Sequence, residues 1–508
     1  MRILVRNQDG STEEVDAREG QTLLEVLQDA GKPIFAPCGG EGTCGRCKVL
    51  VRDESGVGYK LACETEAADG VEVMLEEIST VKIAGVEKLD THVRNADASY
   101  GIAIDVGSTT MVFHLVNLDT RDIVASVGKV NPQVVFGSDV IARINASSKP
   151  GGLDDLCGCL LGGMKESCEE LCARTDIDAS KVKACSIVGN TTMQHFICGL
   201  DPHDIGISPF TPQSLFGAEH ALYKPILDTC ANAYLAPAVA GYVGGDITAG
   251  IRATRMRDRD DLQLFIDIGT NGEMALGNNA RVVCCATAAG PAFEGASITL
   301  GMPAMPGAVS KVTPRDGFFD IETVDSAPAV GICGSGLLDA VAALVTCELV
   351  DETGYLCDED EVEERWAHCI GEENGETVCY LDANHNVYLA QSDVRKVQLA
   401  KSAIRAGIET MMAELEASYD QIGEVALAGG FGMHLDPHAA TAIGLIPPAL
   451  DGKVRACGNT AGQGAVECLF EDGRAATAEI AECAEYLELS TDKRFNEFYI
   501  DYMGFEED

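Results

Sequence analysis

Positive charge is scarce in this sequence. Lysine and arginine together number 37 against 80 aspartates and glutamates, which gives a formal net charge of −43. Such a field repels nucleic-acid backbones and anionic lipid surfaces. We therefore expect no nucleic-acid partner and no membrane partner, and the remaining acidity serves solubility.

Long apolar runs are missing as well. No stretch approaches the ~20 consecutive apolar residues that a membrane-spanning helix needs. The opening residues MRILVRNQDGSTEEVDA alternate apolar and polar side chains, as a strand does and a signal peptide does not. We therefore expect a cytoplasmic protein, and a chain of 508 residues is long enough for several domains.

Cysteine, in contrast, is abundant, with 21 residues. In a cytoplasmic chain this number indicates metal ligands or buried thiols and not disulfides. One group has ligand spacing: Cys38, Cys44 and Cys47 lie in PCGGEGTCGRCKV and Cys63 follows, in the pattern C-x5-C-x2-C-x15-C. Four thiolates are the ligand set of a [2Fe–2S] cluster. The glycines between them let the backbone wrap closely and direct N–H groups at the sulfurs.

The residues around these cysteines predict a small sheet with one helix. Residues 2–6 and 13–16 favour a hairpin, Thr22-Leu23-Leu24-Glu25 is a capping box that begins a helix, and strands are expected at 48–52 and 71–75. This arrangement resembles the β-grasp ferredoxin fold, with the first spacing of the adrenodoxin type.

The alternative is a structural zinc site, for which only Cys44 and Cys47 have the usual close spacing. We assign residues 1–78 to a [2Fe–2S] ferredoxin domain and residues 79–98 to a polar linker.

A strand–turn–strand pattern then occurs twice. GIAIDVGSTTMVFHLVNL contains Asp105 and LFIDIGTNGEMALGNN contains Asp267, and aligning these aspartates matches I-D-[VI]-G-[ST]-[TN]. An internal repeat predicts two similar halves. No GxxxxGK[ST] loop occurs, so a nucleotide would have to be bound by an architecture other than the P-loop.

Each repeated turn has the residues that a phosphate site needs. An aspartate ends a buried strand, a glycine permits the turn, and small polar residues provide donors. The aspartate can hold Mg²⁺ through water. A third glycine turn, in EVALAGGFG, would let a flat adenosine approach the backbone. The predicted ATP-binding residues are Gly107, Ser108, Thr109, Gly269, Thr270, Asn271, Gly429, Gly430 and Gly432.

This order of turns resembles the acetate and sugar kinase/Hsp70/actin (ASKHA) superfamily. The fold class implied is α/β and α+β multidomain, with the ferredoxin domain followed by a duplicated actin-like ATPase domain over residues 99–490 in two lobes. Residues 491–508 are expected to be an acidic C-terminal tail. Helices within 186–200 and 457–469 are expected where the halves are linked.

Several phrases narrow the resemblance further. NPQVVFGSDVIARI (131–144), GYVGGDITAG (241–250), AAGPAFEGA (288–296) and GICGSGLLDA (331–340), together with the ferredoxin fusion, look like the reductive activators of corrinoid-dependent enzymes. The resemblance implies ATP-dependent one-electron reduction of inactive Co(II) corrinoid to Co(I), in support of methyl transfer. It also implies a corrinoid-protein partner, a low-potential electron donor and the option of a homodimer.

The resemblance further implies roles for acidic residues. Asp105 and Asp267 are expected to be catalytic, and Asp246 and Glu273 are candidates for orienting the hydrolytic water or Mg²⁺. An alternative for Asp246 is a helix N-cap. The loop from Thr287 to Glu294 and the Gly334–Ser335 turn could contact the nucleotide or the corrinoid, or could be glycine-rich packing turns. The sequence leaves these three alternatives open.

A non-enzymatic ferredoxin carrier with an inactive nucleotide fold is disfavoured by the intact turns at Asp105 and Asp267. Two enzymatic alternatives stay open at this stage. One is an activator ATPase of the 2-hydroxyacyl-CoA dehydratase or benzoyl-CoA reductase type, although such activators share a [4Fe–4S] cluster between subunits and have no ferredoxin domain. The other is a cluster-regulated small-molecule kinase, because fold alone does not fix function. Cys157, Cys159, Cys168 and Cys172 favour buried helix thiols over a second metal site.

Overall fold

The computed structural model describes residues 1–6, 11–18, 20–30, 32, 34, 40, 42, 47–53, 56–75, 98–137, 139–269, 271–295, 297–429 and 435–505. The first part of the chain forms a five-stranded sheet in the order β2-β1-β5-β3-β4, covered by one helix. Its elements are β1 Arg2–Arg6, β2 Thr12–Asp16, α1 Leu23–Asp29, β3 Lys48–Asp53, β4 Gly56–Leu61 and β5 Glu72–Met74.

The predicted capping box begins α1. Thr22 Oγ1 accepts from the Glu25 N–H at 3.2 Å, and the Glu25 carboxylate accepts from the Thr22 N–H at 2.8 Å. These bonds satisfy donors that the first turn of a helix leaves unpaired. The helix then buries Leu23, Leu24 and Val26 against the sheet. The ferredoxin-like fold is therefore confirmed.

The N-terminal lobe of the larger domain contains a six-stranded sheet in the order β10-β11-β9-β6-β7-β8. Its elements are β6 Tyr100–Val106, β7 Thr110–Asn117, β8 Ile123–Val130, α2 Val140–Ser147, α3 Gly152–Thr175, β9 Val182–Gly189, α4 Thr191–Cys198, β10 Ala218–Ala221, β11 Asn232–Leu235 and α5 Gly245–Ala253.

The C-terminal lobe contains the sheet β22-β21-β12-β13-β14-β23. The elements of this lobe are β12 Leu262–Ile268, β13 Gly272–Gly277, β14 Val282–Thr287, β15 Ala308–Pro314, β16 Phe319–Thr323, β17 Gly331–Ile332, α6 Gly334–Thr346, β18 Ile370–Glu373, β19 Glu376–Tyr380, β20 Tyr388–Ala390, α7 Gln391–Glu414, β21 Ile422–Ala428, α8 Pro437–Ala442, β22 Val454–Gly458, α9 Thr460–Glu467, α10 Glu471–Cys483, β23 Ala484–Tyr486 and α11 Lys493–Asp501.

The sequence repeat is confirmed in the topology of the two large sheets. In the first, β6 pairs antiparallel with β7 and parallel with β9; in the second, β12 pairs antiparallel with β13 and parallel with β21. The turns differ in length, because Val106 pairs with Met111 whereas Ile268 pairs with Gly272. The shorter second turn places Glu273 directly opposite Asp267 across the strand pair.

Helices α5 and α9 pack closely against each other and against strands of both lobes. A Cβ on Gly464 of α9 would collide with the Ala249 carbonyl of α5, so the close crossing requires glycine there. A helix within 457–469 was predicted at the junction and is α9. The helix predicted within 186–200, α4, packs instead on α3 and β9 of its own lobe, so assigning it to the junction was wrong.

The C-terminal segment corrects another expectation. Residues 491–508 were predicted to be an acidic tail, yet α11 packs along α7, with the Ser402 hydroxyl donating to the Tyr499 carbonyl. Phe505 is only 5% exposed and belongs to the core of the lobe. The prediction relied on the net charge of the segment. It overlooked the apolar side chains between the acidic ones, which provide the packing.

The ferredoxin domain touches the N-terminal lobe through α1. Gln28 Nε2 donates to the Val135 carbonyl at 3.0 Å, in the short 3-10 helix Pro132–Val135 that precedes α2. Within the described ranges, no helix combines the length and apolarity needed to cross a bilayer.

We expect Phe505→Ala to lower the free energy of unfolding of the C-terminal lobe by ~3–5 kcal/mol, because it removes a buried aromatic side chain and leaves a cavity. Urea unfolding followed by circular dichroism measures the change. Ile500 of α11 is 71% exposed, so Ile500→Ala is the matched control and should stay within ~0.5 kcal/mol of the parent. Equal stability of the parent and Phe505→Ala would contradict the packing of this segment.

Candidate functional site

The first predicted phosphate turn joins β6 to β7 and is held from behind. Asn131 Nδ2 donates to the Gly107 carbonyl at 2.8 Å, and the Asn131 N–H donates to the Thr109 carbonyl at 2.8 Å. The guanidinium of Arg143 donates to the Ser108 carbonyl at 2.5 Å. Each carbonyl from Gly107 to Thr109 is therefore bound by the segment 131–143.

The two hydroxyls of this turn are bound by other elements. Asn190 Nδ2 donates to Ser108 Oγ at 3.1 Å. Thr109 Oγ1 donates to Glu294 Oε2 at 3.0 Å. Because Glu294 belongs to the C-terminal lobe, this hydrogen bond joins the two lobes across the cleft.

The second predicted turn joins β12 to β13. The Gly269 N–H donates to the Asn271 carbonyl at 2.9 Å and closes the turn. Asn271 Nδ2 donates to Glu273 Oε1 at 3.1 Å, so the amide orients this carboxylate. Thr270 lies outside the described residues.

The third predicted turn begins where β21 ends, beside the second. Gly429 has φ +97°, and a Cβ there would lie 2.5 Å from the Ile268 carbonyl oxygen and 2.7 Å from Asp267 Oδ1. Only glycine fits both the left-handed backbone and this close approach. Gly430 and Gly432 lie outside the described residues.

The structure brings together the four predicted acidic residues, each of them half-buried. Burial raises the pKa of Asp105 to about 7, that of Asp246 to about 8 and that of Asp267 to about 6. Burial also raises the pKa of Glu273 well above its usual range, and the neighbouring carboxylates raise it further. Like charges at close range disfavour ionisation, so a cation among these carboxyl groups would favour their ionised forms.

Asp246 does not cap a helix. The N-cap of α5 is Gly244, and Asp246 lies in the first turn. The negative charges of Asp267 and Asp105 add to the effect of burial on its pKa. In the part of the chain that the structure describes, no three His, Cys, Asp or Glu side chains form a group that could hold a metal ion by themselves.

Two asparagines of the site were missed by the motif search. Asn190 caps α4 and Asn459 caps α9, and each side-chain oxygen accepts from its own helix. The amide of Asn459 donates to Asp105 Oδ2 at 2.9 Å and opposes the rise of that pKa. The signal was present in the sequence, because Gly-Asn-Thr follows a strand at both 189–191 and 458–460.

Arg143 and Glu294 were also missed as site residues. On α2 the buried positions are Val140, Arg143, Ile144 and Ser147, so a charged residue on the buried stripe was the available signal. The sequence left undecided whether the loop containing Glu294 faces the nucleotide or the corrinoid. In the structure Glu294 contacts the first phosphate turn. Gly334–Ser335 begins α6, where Ser335 Oγ donates to the Ser310 carbonyl at 3.0 Å.

The described part of the predicted cluster loop has the geometry of a thiolate site. Cys47 Sγ and Cys63 Sγ are 3.2 Å apart, close enough to bind one iron ion. Gly40 and Gly42 have φ of +96° and +73°, in the left-handed region that favours glycine. These residues fit a [2Fe–2S] cluster. Cys38 and Cys44 lie outside the described residues.

The helix thiols lie on α3. Cys157, Cys168 and Cys172 are buried in the core of the N-terminal lobe, and Cys159 is half-buried. Burial raises the pKa of Cys157 to about 12 and that of Cys159 to about 11. Such thiols behave as small apolar side chains.

Comparison with known proteins shows three matching family models. They are a 2Fe-2S iron-sulfur cluster binding domain over residues 6–68, the RACo middle region over 100–259, and the C-terminal ASKHA domain of RACo over 261–508. The solved structure of a reductive activator for corrinoid, iron-sulfur protein is 29% identical, with a TM-score of 0.72, and the match covers 99% of this chain and 98% of that one. This chain belongs to the family of reductive activators of corrinoid-dependent enzymes.

Two relatives extend the comparison for this activator. The corrinoid activation enzyme RamQ of Eubacterium limosum is 28% identical over 96% of this chain and 97% of the relative. The [Co(II) methylated amine-specific corrinoid protein] reductase of Methanosarcina barkeri is 25% identical over 79% of this chain and 76% of the relative. One name refers to corrinoid activation and the other to reduction of a corrinoid protein, and neither refers to dehydratase activation or sugar phosphorylation.

We expect Gly429→Ala to weaken ATP binding at least ~10-fold, or ~1.4 kcal/mol, because the new Cβ pushes on Asp267 and Ile268. Gly452→Ala is the matched control, since Gly452 also has positive φ but a Cβ there meets nothing within 4 Å. Both variants lose ~1–2 kcal/mol of stability from the left-handed backbone. Calorimetric titration with a non-hydrolysable ATP analogue separates them, and equal affinities would contradict the contact.

The raised pKa of Asp246 links stability to pH. Its value of about 8 in the folded protein exceeds the ~3.9 of an unfolded chain. Its contribution is therefore fully present below about pH 4 and is lost as pH rises through about 8. We expect the nucleotide-free activator to lose stability over this range, and Asp246→Asn to reduce the loss.

Thermal unfolding across pH measures this dependence. Asp261→Asn is the control, because the Arg259 guanidinium lowers the pKa of Asp261 and places its titration below this range. An unchanged pH slope in Asp246→Asn would contradict the assignment.

Proposed function

We propose that this activator uses ATP to drive the one-electron reduction of Co(II) to Co(I) in the corrinoid of a partner corrinoid protein. Co(I) is the state that accepts a methyl group, so the reaction supports methyl transfer. The single observation that carries the proposal is the union, in one chain, of a thiolate cluster site with a two-turn nucleotide cleft. The similarity to RamQ over 96% of the chain supports it.

The ferredoxin domain provides the electron-transfer site. Cys38, Cys44, Cys47 and Cys63 would hold the [2Fe–2S] cluster, which supplies a one-electron carrier when bound. Gly40 and Gly42 have the positive φ that glycine adopts readily. A low-potential electron donor, a homodimeric assembly and a cytoplasmic location complete the proposal.

The cleft provides the ATPase site. The turns at Ser108 and Asn271 grip the phosphates from opposite lobes, and Gly429 admits adenosine to the backbone. We propose that Asp105 and Asp267 would hold Mg²⁺ through water, because Mg²⁺ dehydrates reluctantly, and that the ion would supply positive charge to the phosphates. The positive charge of the ion would relieve the repulsion among these carboxylates. It would also lower their pKa, which burial raises, and so favour their ionised forms.

Hydrolysis requires an oriented water molecule. Asp246 and Glu273 are the proposed orienting carboxylates, with Asn271 fixing Glu273 by the 3.1 Å hydrogen bond. The water attacks the γ-phosphorus, the bond from this phosphorus to the bridging oxygen breaks, and ADP and phosphate leave. An ionised carboxylate in this position can accept the proton of the water, and the carboxylic acid so formed can return it.

ATP can control electron transfer only by changing the conformation of the protein. The two phosphate turns belong to different lobes, so a ligand that binds both favours one arrangement of the lobes. If that arrangement binds the corrinoid protein differently, the ATP and corrinoid sites are coupled by a free energy. The close α5–α9 crossing is the contact about which such a movement would occur.

We expect Co(I) to form only with Mg²⁺ and ATP when the activator, a chemical reductant and a Co(II) corrinoid protein are mixed without oxygen. The absorption band of Co(I) measures the product. Asp267→Asn should keep the cluster spectrum and lose the ATP-dependent product, whereas Cys63→Ser should lose the cluster and keep ATP binding.

Cys347→Ser is the matched control, because this half-buried thiol lies at the end of α6. It should behave as the parent in every measurement. Co(I) formation that is independent of ATP, or absent across a panel of corrinoid proteins, would overturn the proposed function.

A further inference from the structure

The nucleotide cleft is lined by acidic side chains. Asp105, Asp246, Asp267 and Glu273 converge on it, and Glu294 reaches the first turn from the opposite lobe. The phosphates of ATP add further negative charge. Like charges a few ångströms apart repel strongly in a poorly hydrated cleft, so ATP binding needs a positive group beside the phosphates in addition to Mg²⁺.

Arg143 is a basic residue in direct contact with the first phosphate turn. Its side chain is fully buried, with 0% exposure. The guanidinium donates to the carbonyls of Ser108 at 2.5 Å and Gly137 at 3.0 Å, and to Gln133 Oε1 at 3.4 Å. It also donates to Met193 Sδ at 3.6 Å, so within the described ranges its hydrogen-bond acceptors are neutral.

A buried guanidinium with neutral acceptors is incompletely compensated. Burying a charge costs free energy that an opposite charge at good geometry offsets. Burial lowers the pKa of Arg143 to about 10, and the charges of Asp139 and Glu294 oppose that shift. The group remains protonated near neutral pH, so its charge is available to an anion at the turn.

An anionic oxygen already occupies a donor of this turn. Glu294 Oε2 accepts from Thr109 Oγ1 at 3.0 Å, one residue from the carbonyl that Arg143 binds. A phosphate oxygen has the charge and the acceptor capacity of this carboxylate oxygen. The turn therefore presents a hydroxyl that an anion can reach, backed by a buried positive charge.

We propose that Arg143 is a positioning residue for ATP. Its guanidinium holds the Ser108 carbonyl behind the turn and supplies the positive charge that favours binding of the terminal phosphate. This rests on the proposed use of ATP by the cleft. Arg143 acts through the turn and through its field. Its effect must therefore grow with the number of phosphates on the ligand.

The test measures adenosine, ADP and ATP binding, with Mg²⁺, to the full chain by calorimetry. We expect Arg143→Gln to weaken ATP binding ~10–100-fold, as loss of a charge-assisted interaction does. ADP binding should weaken less and adenosine binding should stay unchanged. Arg143→Lys should weaken ATP binding by a smaller factor, because it keeps the charge but loses the planar fork.

Arg405 gives the matched controls. It is 2% exposed on α7, and its guanidinium donates to Glu409 at 2.7 Å, away from the phosphate turns. Arg405→Gln and Arg405→Lys should lower stability and leave the relative affinities for adenosine, ADP and ATP unchanged.

The outcomes separate three cases. An equal loss for all three ligands in the Arg143 variants, or no loss, overturns the role of Arg143 while leaving the proposed function intact. Failure of the parent to bind ATP overturns the proposed function itself. If Arg143→Gln does not fold, Arg143→Lys decides, because a loss graded by phosphate number supports the role and an ungraded or absent loss overturns it.

Discussion

Repulsion among carboxylates is the constraint on which the nucleotide cleft depends. Asp105 and Asp267 end the central strands of two similar sheets, and Asp246 begins the helix that packs at their junction. The duplicated architecture forces these side chains towards one another in a half-buried space. Burial raises the pKa of all three, and neighbouring carboxylates raise the pKa of Asp105 and Asp246 further. A ligand that brings Mg²⁺ with phosphate matches what the cleft lacks.

The segment 131–143 is the structural partner of this cleft. It binds every carbonyl of the first turn through Asn131 and Arg143, and it lies against the ferredoxin domain, where Gln28 donates to Val135 at 3.0 Å. One short stretch of chain thus touches the nucleotide site and the electron-transfer domain. This segment therefore connects the first phosphate turn to the ferredoxin domain through direct contacts, so a conformational change in the turn could reach that domain.

Small residues determine how closely the lobes approach. Gly464 and Ala249 allow α5 and α9 to cross with their backbones nearly in contact, and Gly429 brings the end of β21 onto the second turn. Larger side chains at these positions would separate the elements that carry Asp246, Asp267 and Asn459. The acidic cleft is therefore a consequence of close backbone packing as much as of the aspartates themselves.

The sequence by itself determined the local features whose cause is local. The capping box at Thr22, the strand–glycine–turn repeats at Asp105 and Asp267, and the left-handed glycines of the cluster loop follow from residue chemistry over a few positions. The resemblance of the motifs along the chain to those of known proteins was sufficient to identify the family.

Only the tertiary structure decided which distant residues meet. Arg143 meets Ser108 across 35 residues of chain and Glu294 meets Thr109 across 185. The pairing of α9 with α5, not α4, depends on how the sheets face each other. The packing of 491–505 on α7 was likewise hidden, because acidic residues outnumber basic ones in this segment while the partly buried Phe495 and the buried Phe505 join the core of the lobe. Contacts of this kind arise from the three-dimensional arrangement of complete elements, which periodicity and spacing do not specify.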